Sequence, residues 1–154
     1  MNTEQFVLSY LPTALVAGVL GVTALELVMW LITRKGWAQG NMIVAIGSLL
    51  TGSRKNAFKV GVVLHVISGV IFALLYAWAM WRLGFTHLPT ALAAGVGFGT
   101  LHGMIVSLAL VWIVSEHHPL EEFNEAGLAI GVSHVAGHVA FGAMVGLVIG
   151  LSPL

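Results

Sequence analysis

Four apolar runs, each long enough to cross a bilayer, dominate this chain and restrict what it can fold into. They cover roughly Leu11–Thr33, Ala57–Arg82, Pro89–Ser115 and Ala126–Leu151. A helix needs about 20 predominantly apolar residues to cross the hydrocarbon core. Of the 154 residues, 58% are hydrophobic and only 8% are charged. Soluble domains carry about 25% charged residues. The expected fold is therefore all-α: an integral membrane four-helix bundle forming one domain over residues 1–154. Pro12 and Pro89 are expected near helix starts, where a missing amide proton costs nothing. The residues before the first run include Glu4 but no Lys or Arg, so this run is expected to be a permanent span rather than a cleaved signal.

The loops set an orientation. The first holds Arg34, Lys35, Arg54 and Lys55, with Lys59 just inside the next run, while the third is acidic through Glu116, Glu121, Glu122 and Glu125. Basic loops stay in the cytoplasm. Loops one and three are thus expected inside, and both termini on the non-cytoplasmic side of a bacterial inner membrane. The acids of loop three then face the bases of loop one and can pair with them. Loop one also holds a short apolar stretch at about residues 41–51, too short to span. It is expected to lie at the interface or re-enter the membrane, or to pack on the end of the bundle.

Small residues recur every four positions. The stripes are Ala14, Gly18, Val22 and Glu26; Gly61, His65, Gly69, Ala73 and Ala77; Ala91, Gly95, Gly99 and Gly103; and His134, His138, Gly142, Gly146 and Gly150. This spacing keeps residues on one helix face, and small residues let membrane helices approach closely. The second and fourth runs also align, matching His65 with His134, Val66 with Val135 and Phe72 with Phe141. The first and third match at Leu15 and Leu92, Gly18 and Gly95, and Thr23 and Thr100. A duplicated two-helix unit is expected from this pattern.

Polar groups on the stripes carry the chemistry. Glu26, His65, His134 and His138 lie on them, and His102 lies one position off. Ionisable groups inside a membrane are costly and usually face a bundle interior or cavity. Glu26, His65 and His134 are expected about 12 Å from the loop-one end, with His102 and His138 a turn deeper.

This constellation admits three readings. The first is a transition-metal site (iron, zinc, copper or nickel) using Glu26, His65, His102, His134 and His138, since an i,i+4 His pair is a helical metal-ligand spacing. The second is haem b, ligated by His65 and His134 or by His102 and His138, with Gly69, Gly99 and Gly142 giving the porphyrin room. A membrane cytochrome of that kind would exchange electrons with quinone. The third is a set of helix clasps or a proton or ion path. Glu116, His117 and His118 form a lesser candidate site with Glu121 or Glu122, against the simpler expectation of a solvated loop.

Other chemistries are excluded or unsupported. The chain has no Cys, hence no disulfide, thiolate ligand or c-type haem attachment. Its formal net charge is zero, which gives nucleic acid no basic patch. Gly95-Val-Gly-Phe-Gly lies inside a span and is no dinucleotide fingerprint. No G-x-S-x-G accompanies the serines, so catalytic residues are not identifiable.

The AGVLG at Ala17, the Leu-Leu-Thr-Gly ending at Gly52, the His65-x-x-x-Gly69 and the HVAFG at His138 carry a resemblance. On these residues the chain resembles an uncharacterised family of small four-span bacterial inner-membrane proteins. The resemblance implies the same four-helix fold and transfers no activity. The expected function is a redox-related, membrane-embedded metal- or haem-binding protein. The alternatives are an accessory subunit of a larger membrane complex, a homo-oligomer, or a small proton or ion transporter.

Overall fold

The computed structural model describes residues 3–38, 41–110, 112, 115–124 and 127–154, with side chains from Leu8 onward apart from that of Ser115. Inside a bilayer each backbone amide must be satisfied within its own segment, and the apolar runs accordingly become helices. They are α1 (Thr3–Arg34), α3 (Ala57–Leu83), α4 (Thr90–Ala109) and α6 (Leu128–Gly150). A shorter helix, α2 (Met42–Thr51), fills loop one, and a single turn, α5 (Ser115–His117), precedes a 3-10 turn at Glu121–Phe123. The chain is all-helical, and four of its helices are long and apolar enough to span a membrane: Leu8–Arg34 within α1, then α3, α4 and α6.

Two boundaries differ from expectation. Pro12 lies inside α1, not at its start. The lost hydrogen bond falls on the carbonyl of Leu8, whose side chain is exposed near the helix end, so the helix tolerates it. The third span ends its regular α-helix at Ala109 rather than Ser115, and the chain continues at Leu110 and Trp112 with wider π-type turns. The expected start of the fourth run, Ala126, lies outside the described residues.

The glycine stripes form the helix contacts. α4 buries Ala91, Gly95, Gly99 and Gly103, the four residues of its stripe. Ala91, Gly95 and Gly99 face Gly142 and Gly146 of α6, and Gly103 faces Val135 and His138. A β-carbon added at Gly142 would meet the carbonyl oxygen of Gly95 and lie 2.8 Å from the α-carbon of Gly99. α6 also packs on α1, where Gly21 meets the ring of Phe141. α1 in turn packs on α3 through Gly18, which faces the backbone of Gly69 and Val70.

The order of packing is α3, α1, α6, α4, and α3 makes little direct contact with α4 or α6. A two-fold axis relating α1–α3 to α4–α6 would also relate α1–α6 to α4–α3. The first of these pairs is intimate and the second is not. The registers differ too: Gly18 meets α3 at Gly69, whereas its sequence counterpart Gly95 meets α6 at Gly142. The expected duplication has no matching symmetry in the packing.

α2 packs on the end of the bundle. Asn41 caps it by accepting from the Val44 amide, and Gly52 ends it at φ 64°, a left-handed conformation that glycine adopts without penalty. Gly47 faces the Ala57 carbonyl, and Gly61 of α3 faces the Ile43 carbonyl. These reciprocal glycines bring α2 against the first turns of α3, with Met42, Val44 and Ala45 buried.

Loop three is held to loop one, as the charges suggested. The Arg54 guanidinium grips Glu122 with two nitrogens, Nε donating to Oε1 at 2.7 Å and Nη2 to Oε2. The bond from Arg54 holds the Glu122 carboxyl below the usual carboxylate range, and raises Arg54. The sign follows: this pair stabilises the fold above the ordinary Glu range and is lost as pH falls through the lowered Glu122 value. Both side chains are exposed, so the effect is small. Glu122→Gln is expected to lower the melting temperature only slightly at pH 7, and not at all in strong acid or high salt. A pH series of melting curves checks this.

Candidate functional site

Where α3 stands away from α4 and α6, a cavity of about 210 Å³ opens. Its histidines come from three helices: His65 from α3, His102 from α4, and His134 and His138 from α6. Apolar residues complete the wall, among them Val22 and Leu25 of α1, Phe72 of α3 and Phe141 of α6. Met42 and Ile46 of α2 and Leu110 close the loop-one end. The sequence placed these four imidazoles together by helical spacing, and the structure puts all four on one cavity.

The helix fixes two of the rings. His134 Nδ1 donates to the Ile130 carbonyl at 2.6 Å, and His138 Nδ1 donates to the His134 carbonyl at 2.8 Å. A carbonyl only accepts, so each ring carries its proton on Nδ1 while neutral. Nε2 then keeps its lone pair. The Nε2 of His134 is buried without a hydrogen-bond partner among the described residues.

His65 is set differently. Its Nε2 lies 3.5 Å from Glu26 Oε1 across the α1–α3 contact. The carboxylate favours the proton on Nε2, which leaves the Nδ1 lone pair free. That Nδ1 is also buried without a partner among the described residues. Glu26 is absent from the wall of the central cavity. It faces a separate groove on the outer side of the α1–α3 pair and reaches the cavity only through His65.

His102 belongs to an aromatic layer. Its Nδ1 is 3.1 Å from the Tyr76 hydroxyl, its ring stacks at a tilt on Phe72 with centroids 3.9 Å apart, and it meets His138 edge-on at 4.6 Å. Tyr76, buried on α3, was not singled out from sequence. It lies three positions after Ala73 of the small-residue stripe and shares that face, which was the available signal.

Taken as they stand, no three His, Asp or Glu side chains among the described residues are arranged to hold a metal ion. Ligation by three or more of them requires side-chain rotation into the cavity. A porphyrin fits poorly. The rings of His102 and His138 are too close to admit a macrocycle between them. The glycines expected to make room are occupied: Gly99 and Gly142 by each other's helices, and Gly69 by Val22. The cavity also falls below the roughly 300–1,000 Å³ of drug-sized ligand pockets.

The lesser candidate divides. Glu116 and His117 are exposed, whereas His118 is buried under α2. His118 Nε2 lies 3.1 Å from the Ala45 carbonyl, to which it donates, and 3.4 Å from Ser48 Oγ. Its Nδ1 accepts from the Leu120 amide at 3.0 Å. Nε2 fastens loop three to α2 and Nδ1 braces loop three at Leu120, so both ring nitrogens are used in packing. Glu125 lies outside the described residues. His118→Phe keeps the ring but leaves buried polar groups unpaired, at about 1–3 kcal/mol. Faster hydrogen exchange in α2 is the expected readout.

No protein-family model matches the chain, and comparisons with curated proteins and with solved structures returned no match.

Proposed function

We propose that the chain is an inner-membrane protein that binds one transition-metal ion in the central cavity, with His134 and His138 as the fixed ligands. The supporting observation is the pair of buried imidazole nitrogens without partners, His65 Nδ1 and His134 Nε2, on residues that line one cavity. Buried polar atoms are nearly always hydrogen-bonded, and exceptions often mark an ion or a functional group. A ring proton tied to a carbonyl or carboxylate is also how proteins orient metal-binding histidines. Here His134 and His138 use carbonyls, and His65 Nε2 stands 3.5 Å from the Glu26 carboxyl.

His65 completes the site by turning its Nδ1 toward the α6 pair, and His102 supplies a fourth imidazole when its bond to Tyr76 opens. Neutral imidazoles suit zinc, copper, iron and nickel. A redox-active ion in this largely apolar cavity would serve electron transfer. A helix-clasp role draws less support, because a clasp would pair the nitrogens that are left unpaired. The basic residues Arg34, Lys35, Arg54, Lys55 and Lys59 support an orientation with loops one and three in the cytoplasm and both termini on the other side.

Titrating cobalt(II) into the metal-free protein in nanodiscs tests this reading. Saturation at one ion per chain, with imidazole coordination by X-ray absorption, is expected. Absence of saturable binding contradicts it.

A further inference from the structure

Outside the central cavity, the groove between α1 and α3 has a volume of about 420 Å³, within the size range of small-molecule pockets. Val22, Leu27, Val62 and Val66 make its walls apolar, and the Trp30 indole stands at one end. Leu27 and Trp30 are both more than half exposed on a helix long enough to span a membrane. The groove therefore opens sideways, toward lipid. Glu26 lies eight residues before Arg34, or about 12 Å along the helix. A water-borne ligand would have to pass through the hydrocarbon to reach it.

The polar residues of this groove are Thr23, whose hydroxyl donates to the Val19 carbonyl, and the neighbouring Glu26 and His65. The Glu26 side chain is 31% exposed, and its buried Oε1 lies 3.5 Å from His65 Nε2, which leaves the rest of the carboxyl open to the groove. A carboxyl oxygen accepts a hydrogen bond in either protonation state, so a ligand with an O–H donor on an otherwise apolar body fits. The indole edge of the groove suits a flat aromatic head.

We propose that this groove binds the head of a lipophilic hydroquinone entering from the bilayer, its hydroxyl donating to Glu26 beside His65. An apolar tail leaves over Leu27 toward lipid. The groove is distinct from the metal cavity, and Val22 and His65 form the wall they share. A bound hydroquinone is therefore separated from the proposed ion by a single imidazole. This assignment does not depend on the ion being there.

The test is an anaerobic titration of a decyl-tailed hydroquinone into the protein in nanodiscs, scored against empty discs. One saturable molecule per chain is expected. Glu26→Leu is expected to weaken binding at least tenfold by removing the acceptor. Val62→Phe is expected to block the groove while leaving Glu26 and the cavity histidines intact, and Leu101→Ala on the exposed face of α4 is expected to bind as the natural chain does. Metal content measured on the Val62→Phe samples separates the two claims, since this variant loses hydroquinone and keeps metal. Binding no greater than in empty discs, binding unchanged in both groove variants, or equal displacement by decanoic acid overturns the proposal.

Discussion

Gly142→Leu is expected to unfold the α4–α6 pair or drive it apart, giving the largest loss of stability of any single substitution considered. The reason is geometric. Even a β-carbon at this position meets backbone, 2.8 Å from the Gly99 α-carbon and close on the Gly95 carbonyl. A flexible side chain can turn away from such an intrusion, but two helix backbones can only separate. Overpacking a deformable core costs about 1–3 kcal/mol, and this rigid contact is expected to exceed that. Separation also exposes Gly95 and Gly146 and loses the close packing that drives helix association without a hydrophobic term. Gly97→Leu is the matched control, because its β-carbon would meet nothing within 4 Å. Melting in mild detergent, followed by tryptophan fluorescence, is expected to show a large drop for the first variant and little for the second. Equal melting temperatures would refute the glycine seam.

The second large effect concerns the proposed ion. His134→Ala and His138→Ala each remove a ligand whose orientation the helix has already fixed, and each is expected to abolish stoichiometric metal binding. Glu26→Gln keeps the shape of the side chain but removes the charge that orients His65, and such outer partners typically contribute about 10- to 100-fold in affinity. His87→Ala, outside the four spanning helices, is expected to bind as the natural chain does. Competition with a chromophoric chelator measures all four. Retention of full affinity in both α6 variants would exclude the α6 pair as ligands.

The spans and the contacting faces were legible because glycine and alanine at steps of four have one geometric meaning in a helix. The stripes became the α1–α3 and α4–α6 seams, whereas the α1–α6 seam runs off them through Gly21, Gly137 and Phe141, and the imidazoles on or beside the stripes reached a common cavity. The pairing of Arg54 with Glu122 was legible from charge alone. What helical spacing cannot convey is which neighbour a face meets. Glu26 shares a stripe with Gly18, yet α1 presents it to an outer groove, and only His65 links it to the cavity. His118 read as part of a polar Glu-His-His run, but loop three turns back beneath α2 and buries it. The apparent duplication rested on residue types common to any close-packed membrane helix, and the two helix pairs pack in different registers. Pro12 was misplaced because a proline near a helix end loses only one bond.

Elemental analysis of the protein purified in mild detergent, without chelators or an affinity metal, tests the central claim most directly. About one equivalent of iron, copper, zinc or nickel per chain is the predicted result, and it identifies the element. Metal at trace level, in protein that also fails to take up added ion, would contradict a metal site and return the four imidazoles to helix packing or proton transfer.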